Sequence, residues 1–187
     1  MLTIPEVEAP FKVLGVDPGS QNLGIALLHH PVDREHYIVD FATTIQFKEK
    51  YIKNEGDIEN IGYLNARLIQ MTISFAYWLN ITQPQAVCIE HPFVGRSVKS
   101  YGVLVQVIEV IRQTVYRHDP FIPFITISPI DVKKTAQVNM RGKSDKLDVE
   151  TALKAREDIT WNTHVDMLDE HAFDAVCIAM HYLENIF

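Results

Sequence analysis

Cysteine is scarce in this chain, with two among 187 residues. Both lie inside apolar runs, Cys88 in AVCIE and Cys177 in DAVCIAM, where a thiol behaves as a small hydrophobe. This argues against a disulfide scaffold or a cysteine-ligated metal, and it predicts buried, reduced thiols in a reducing cytoplasm. Long apolar runs are also missing. No stretch approaches the ~18 consecutive apolar residues of a transmembrane helix. The opening, MLTIPEVEAPF, has no basic start and no apolar centre, and it carries two glutamates; neither a secretory signal nor an Arg-rich transit peptide is expected. There are no internal repeats and no low-complexity linkers. Positive charge is in overall deficit, with a net charge of −7. Spread evenly, that balance would argue against a polyanionic partner.

The charge is not spread evenly. From Val132 to Lys146 five cations (Lys133, Lys134, Arg141, Lys143, Lys146) face one acid, Asp145. From Arg96 to Arg117 four cations (Arg96, Lys99, Arg112, Arg117) face Glu109. A basic strip on an acidic body is compatible with phosphate binding; a solvated face is the plainer alternative. Apolar residues make up 47% of the chain, enough for the core of one globular domain at this length.

KVLGV reads as a short apolar strand ending in Asp17. NLGIALLHH and YIVDFATTIQF follow as two more strands, with a turn around Pro31–Glu35 between them. Short links suggest an antiparallel meander. Ile61, Leu64, Leu68, Met71, Phe75 and Trp78 recur at helical spacing, so a helix with one buried stripe is predicted, ended before Pro84. AVCIE is a buried strand ending in Glu90. A second helix is predicted over about 98–116, with Val103, Val107, Val110 or Ile111, and Val115 on one face. PFITIS is a fifth strand. Ser128–Pro129 reads as an N-cap followed by proline in the first turn of a short helix. Ser144 is read as the cap of another helix through Leu153, and a last helix spans about 169–184. Strands joined by helical crossovers imply a mixed α/β sheet with helices on both faces.

Asp17 and Glu90 share a grammar, each being the last residue of a short buried strand. Strand C-termini in sheets with parallel neighbours are where ligands bind; a strand-ending turn residue or a helix cap is the structural alternative for either alone. His171 and Asp174 lie at i and i+3, hence on one helix face, at the mouth of a helix that is apolar on nearly every side. The helix dipole is a sufficient reason for Asp174 by itself. It does not explain Asp169, Glu170, His171 and Asp174 together. Like charges ~4 Å apart repel by ~4 kcal/mol at an effective dielectric of 20, so converging carboxylates need a cation. Oxygen ligands with one imidazole suit Mg²⁺ or Mn²⁺. Gly19 allows the tight reversal after Asp17, and Gly24 allows close approach of a backbone or phosphate to the second strand.

Three segments, GVDPGSQNLGIAL, AVCIEHPFVG and DEHAFDAVCIAMHY, resemble the catalytic segments of RuvC-type Holliday junction resolvases, of the ribonuclease H-like (retroviral integrase) superfamily. The resemblance runs from about Phe11 to Tyr182. It implies a ribonuclease H-like mixed five-stranded sheet flanked by helices on both faces, and one nuclease domain over 1–187, with about 1–10 as an N-terminal extension. It implies an endonuclease that cuts four-way or branched DNA in recombination and repair, by hydrolysis with two Mg²⁺ or Mn²⁺ ions per site. Carried over by motif, the catalytic and metal-binding residues are Asp17, Glu90, His171 and Asp174. His171 stands where many members have aspartate, so it either ligates through neutral imidazole or moves a proton. Phe93 matches the family's aromatic residue near the junction crossover; a core aromatic is its plain reading. Lys133 and Lys146 match the two lysines near the scissile phosphate, with Lys143 a rival for the second. Arg96, Lys99, Lys134 and Arg141 complete the expected DNA contacts. A two-fold symmetric substrate implies a homodimer. The loop NMRGKS departs from the family's glycine-containing pattern. The N-terminal extension, the insert around Lys48–Glu59 and the acidic balance look like a phage-encoded or divergent member, acting in the host cytoplasm. The alternatives are another ribonuclease H-like nuclease acting on flaps, branched DNA or RNA, a fragment of an actin-like ATPase or sugar kinase, for which the chain is short, or a non-catalytic DNA-binding module.

Overall fold

A computed structural model describes residues 10–31, 36–48, 55–92, 97–136 and 146–186. Its centre is β1 (Lys12–Asp17), buried from Val13 onward. β1 pairs antiparallel with β2 (Asn22–His29), placing Asp17 opposite Gly24. β2 pairs antiparallel with β3 (Tyr37–Gln46), as the short links between these strands predict. On the other side of β1, β4 (Ala86–Glu90) runs parallel to it, and β5 (Phe124–Ile127) runs parallel to β4.

The expected count of five strands is corrected to six, in the order β5-β4-β1-β2-β3-β6. The extra strand, β6 (Ile159–Trp161), adds parallel to β3 through Tyr37, Ile38 and Val39. Three residues are too few to carry a period-2 signal; only the pairing defines this edge strand. The described helices are α1 (Glu55–Ile61), α2 (Tyr63–Thr82), α3 (Val98–His118), α4 (Pro129–Thr135), α5 (Lys146–Lys154) and α6 (Glu170–Asn185). Ser128 caps α4 with Pro129 in its first turn, and its hydroxyl accepts from the Asp131 amide. The expected cap Ser144 lies outside the described residues.

Strand alternation sorts the core into two layers. Leu14 and Val16 of β1 and Val87 and Ile89 of β4 meet Met71, Phe75 and Leu79 of α2 and Val107, Ile111 and Val115 of α3. Val13 of β1 and Ala86 and Cys88 of β4 face the opposite side, against α6. Cys88 and Cys177 are free and buried, as expected. By the same alternation, Asp17 and Glu90 end their strands on the α6 side. Helix α6 can lie on the sheet only because two positions lack a side chain. A Cβ on Gly15 would sit 2.2 Å from the Ala175 carbonyl oxygen, and one on Gly24 would sit 2.1 Å from that of His171. The predicted close approach at Gly24 is therefore that of α6.

The predicted stripe on α2 is partly corrected. Ile61 belongs to α1, across a break at Gly62, and is exposed. The buried residues of α2 are Ala66, Arg67, Met71, Phe75, Leu79 and Thr82, whereas Leu64, Leu68 and Trp78 are half-buried. Ile69, Ile73, Tyr77 and Ile81 are also apolar yet exposed. A helix apolar on several faces does not announce which one it buries.

Candidate functional site

Three elements deliver acids to one end of the sheet. Asp17 ends the central strand and is buried. Glu90 ends the adjacent parallel strand and is half-buried. Helix α6 begins over them, its N-cap Asp169 accepting from the Ala172 amide at 3.1 Å. Thr44 Oγ1 donates to the same Asp169 oxygen. Asp169 is thereby committed to the cap, and His171 and Asp174 follow on the first turns.

His171 Nδ1 lies 2.7 Å from Asp17 Oδ2. Asn22 Nδ2 lies 3.2 Å from His171 Nε2. As an amide nitrogen only donates, this arrangement is a neutral imidazole with its proton on Nδ1, shared with Asp17. The hydrogen bond to Asp17 nevertheless raises the imidazole above its ordinary pKa; burial opposes the rise, and the charges of Asp17, Asp169 and Glu170 add to it. Asn22 Oδ1 is buried without a hydrogen-bond partner. A turned amide would offer that oxygen to Nε2–H of an imidazolium, so Asn22 serves both protonation states.

Glu90 reports how crowded the acids are. Burial, then the charges of Asp17 and Asp174, push its carboxyl up to about 7, while Lys133 pulls it down. Glu90, Asp17 and Asp174 thus share one electrostatic neighbourhood, and Lys133 reaches it. Among the described residues, no three His, Cys, Asp or Glu side chains are drawn into a ready cage for a metal ion; Asp17 is turned to His171 instead. The donor set still fits a hard divalent cation. It holds carboxylates from three elements, one imidazole and an unsatisfied amide oxygen, and its acids repel until a cation sits among them.

The expected DNA contacts fare unevenly. Lys99 is exposed in the first turn of α3. Lys134 Nζ is 2.9 Å from Asp131 Oδ1, an exposed i,i+3 pair on α4. Phe93, Arg96, Arg141 and Lys143 lie outside the described residues, and Lys146 opens α5 without a described side chain. Two residues escaped sequence reasoning. Asn22 gives no signal beyond being polar at the start of an apolar strand. Arg67 does give one: it is the only charged residue in the 20 of α2.

The chain matches the family model of the crossover junction endodeoxyribonuclease RuvC over residues 13–182. It is similar to the crossover junction endodeoxyribonuclease RuvC of Synechocystis sp., at 25% identity over 97% of this chain and 96% of that protein. Similarity to the Nocardia farcinica RuvC is 28% identity over 78% of this chain and 68% of that one. The fold is similar to that of T. thermophilus RuvC in complex with a Holliday junction substrate, with a TM-score of 0.65 and 16% identity over 92% of each chain.

Proposed function

The chain belongs to the RuvC family of crossover junction endodeoxyribonucleases, which are divalent-metal-dependent nucleases, and from that premise we propose that it resolves four-way DNA junctions at a site formed by Asp17, Glu90, His171 and Asp174. What supports this reading is the meeting of Asp17 and Glu90, from adjacent parallel strands, with Asp174 of α6 close enough to raise the Glu90 carboxyl. These four residues would hold two Mg²⁺ or Mn²⁺ ions. Bound cations would supply an activated water and charge stabilisation at the leaving 3′ oxygen.

The chain's own residues set up that chemistry. Asp17 presents its carboxylate from a strand paired on both sides, by β2 and β4, so its position is preorganised. His171 keeps a proton at Nδ1 against Asp17 Oδ2, so cation loading of Asp17 competes with that hydrogen bond. Lys133, within electrostatic reach of Glu90, holds positive charge where a scissile phosphate would lie. Lys146 or Lys143, Lys134, Arg141, Arg96 and Lys99 would track the backbone, and Phe93 would stack at the branch point, worth ~1–3 kcal/mol per base.

Paired incisions need two copies. Ile69, Ile73, Tyr77 and Ile81 form an exposed apolar ridge on α2, and we assign it to a two-fold dimer interface. Ile73→Glu is expected to shift the sedimentation coefficient to that of a monomer. The whole chain acts as one nuclease domain in this reading. No described helix is long and apolar enough to cross a membrane, and a DNA-processing enzyme of this kind belongs in the cytoplasm.

The test is gel cleavage of four-way junctions, flaps, duplex DNA and RNA by the wild type and Asp17→Asn. Selective cutting of the junction by the wild type, with binding but no cutting by the variant, is the expected pattern. Preference for flaps or RNA would remove the resolvase assignment. Mg²⁺ should also raise the melting temperature of the wild type and leave that of Asp17→Asn unmoved.

A further inference from the structure

Arg67 is 6% exposed, an unusual burial for a cation, which loses its hydration unless an anion or several acceptors replace it. Among the described residues its guanidinium makes one hydrogen bond, Nη1 donating to the Ser20 carbonyl at 2.5 Å. Its Nε is buried with no partner. The Tyr63 ring lies 4.3 Å beneath the guanidinium, which fixes its plane without neutralising it. No described carboxylate pairs with it. One carbonyl and one ring satisfy a fraction of five N–H donors.

The guanidinium lines a groove of about 500 Å³ shared with Ser20, Tyr63, Lys99 and Ser100. The groove opens on the α2/α3 side of the sheet, across from α6. Ser20 is three residues beyond Asp17, and Lys99 stands on the first turn of the helix that follows Glu90. Both walls are therefore tethered to strands that end in proposed catalytic acids. Two cations, two hydroxyls and a helix N-terminus facing one groove form a receptor for a phosphate oxyanion.

We propose that Arg67 and Lys99 bind a backbone phosphodiester next to the scissile one, on the α2/α3 side of the cleft and apart from the basic strip at 133–146. This rests on the junction-nuclease reading above. Arg67 has a dual role: it pins the turn after Asp17 through the Ser20 carbonyl and offers its remaining Nη donors to the DNA. An occupied groove ties the position of the strand to the position of Asp17.

The test compares junction binding by Asp17→Asn, chosen because it is expected to suppress cleavage, with Asp17→Asn carrying Lys99→Gln, Arg67→Gln or Arg67→Lys, from low to high salt. Each lost phosphate contact reduces the slope of log K against log salt by ~0.9. Lys99→Gln and Arg67→Gln are each expected to lower that slope by about one contact and to weaken binding about fivefold at low salt; Arg67→Lys keeps the slope. Lys99 is exposed, so its variant reads the groove even where loss of Arg67 disturbs the turn. An unchanged slope in Lys99→Gln would overturn the inference and leave the nuclease reading standing. Asp17→Asn that binds no DNA overturns both. Inorganic phosphate provides the other arm. If it raises the melting temperature of the wild type but not of Lys99→Gln, with equal DNA slopes, the groove takes a free anion and the DNA contact is wrong.

Discussion

Helix α6 carries acids at both ends, and the two ends are treated in opposite ways. At its C-terminal end Glu184 meets Arg156, whose Nη2 lies 3.2 Å from Glu184 Oε1. Arg156 also grips Asp158 in a bidentate pair at 2.8 and 2.6 Å and donates to the Thr135 carbonyl at 3.1 Å. Tyr37 donates to Glu184 from β3, and burial followed by the Glu184 charge pushes its hydroxyl up to about 12. Arg156 holds Asp158 below its ordinary value. At the N-terminal end Asp17, Glu90 and Asp174 converge, and Glu90 is pushed up to about 7 despite Lys133. One cluster is compensated from within and fastens β6 and α6 to β3. The other gathers acids at the ends of two adjacent parallel strands, with His171 against Asp17 and Lys133 in electrostatic reach of Glu90, the shifted-carboxyl pattern expected of the site proposed above.

The contrast breaks most clearly if each cluster is stripped of one member. Glu90→Gln is expected to lower junction cleavage by at least about 1,000-fold, the loss of roughly 4 kcal/mol of transition-state stabilisation. Its melting temperature should equal or exceed that of the wild type, because a repelling acid is gone. A parallel loss of stability would show that Glu90 is structural. Arg156→Ala should do the reverse, costing about 3 kcal/mol in urea unfolding because two acids lose their partner, while the folded fraction cuts junctions at the wild-type rate. Gly24→Ala sharpens the comparison by acting on the seat of α6. Its Cβ would meet the His171 carbonyl, at about 1–3 kcal/mol for overpacking, and it should slow cleavage as well, since His171 and Asp174 move with the helix. The smallest effect is in acid. A depressed folded pKa means that Asp158 stabilises fully above its unfolded value of ~3.9 and loses that contribution as pH falls through the folded one. The difference in melting temperature between the wild type and Asp158→Asn should therefore be largest near neutrality and shrink below about pH 4.

Much of the candidate site at the N-terminal end of α6 was legible before any fold was known. Asp17 and Glu90 each close a buried strand, and His171 and Asp174 share one face of an apolar helix; all three patterns are local. Less legible was anything defined by a partner far along the chain. β6 has three residues and exists through Tyr37–Val39. Arg67 stands out as the only charge on α2, yet its burial and its contact with Ser20 depend on a residue 47 positions away. Asn22 acquires a role only because His171, 149 positions on, is brought to it. Arg156, Asp158 and Glu184 read as ordinary surface charges until the helix end meets β3.

By itself, the sequence determined the strand and helix periods, the acids that close them and the family to which the chain belongs, because those rest on spacing along a few residues. The tertiary structure alone decided which face of α2 is buried, that Arg156 joins Asp158 to Glu184, and that Asp17, Glu90 and Asp174 share one electrostatic field. The physical reason is distance. Hydrophobic periodicity acts within a turn or a pleat, whereas the energies of buried charges depend on neighbours that only packing brings close.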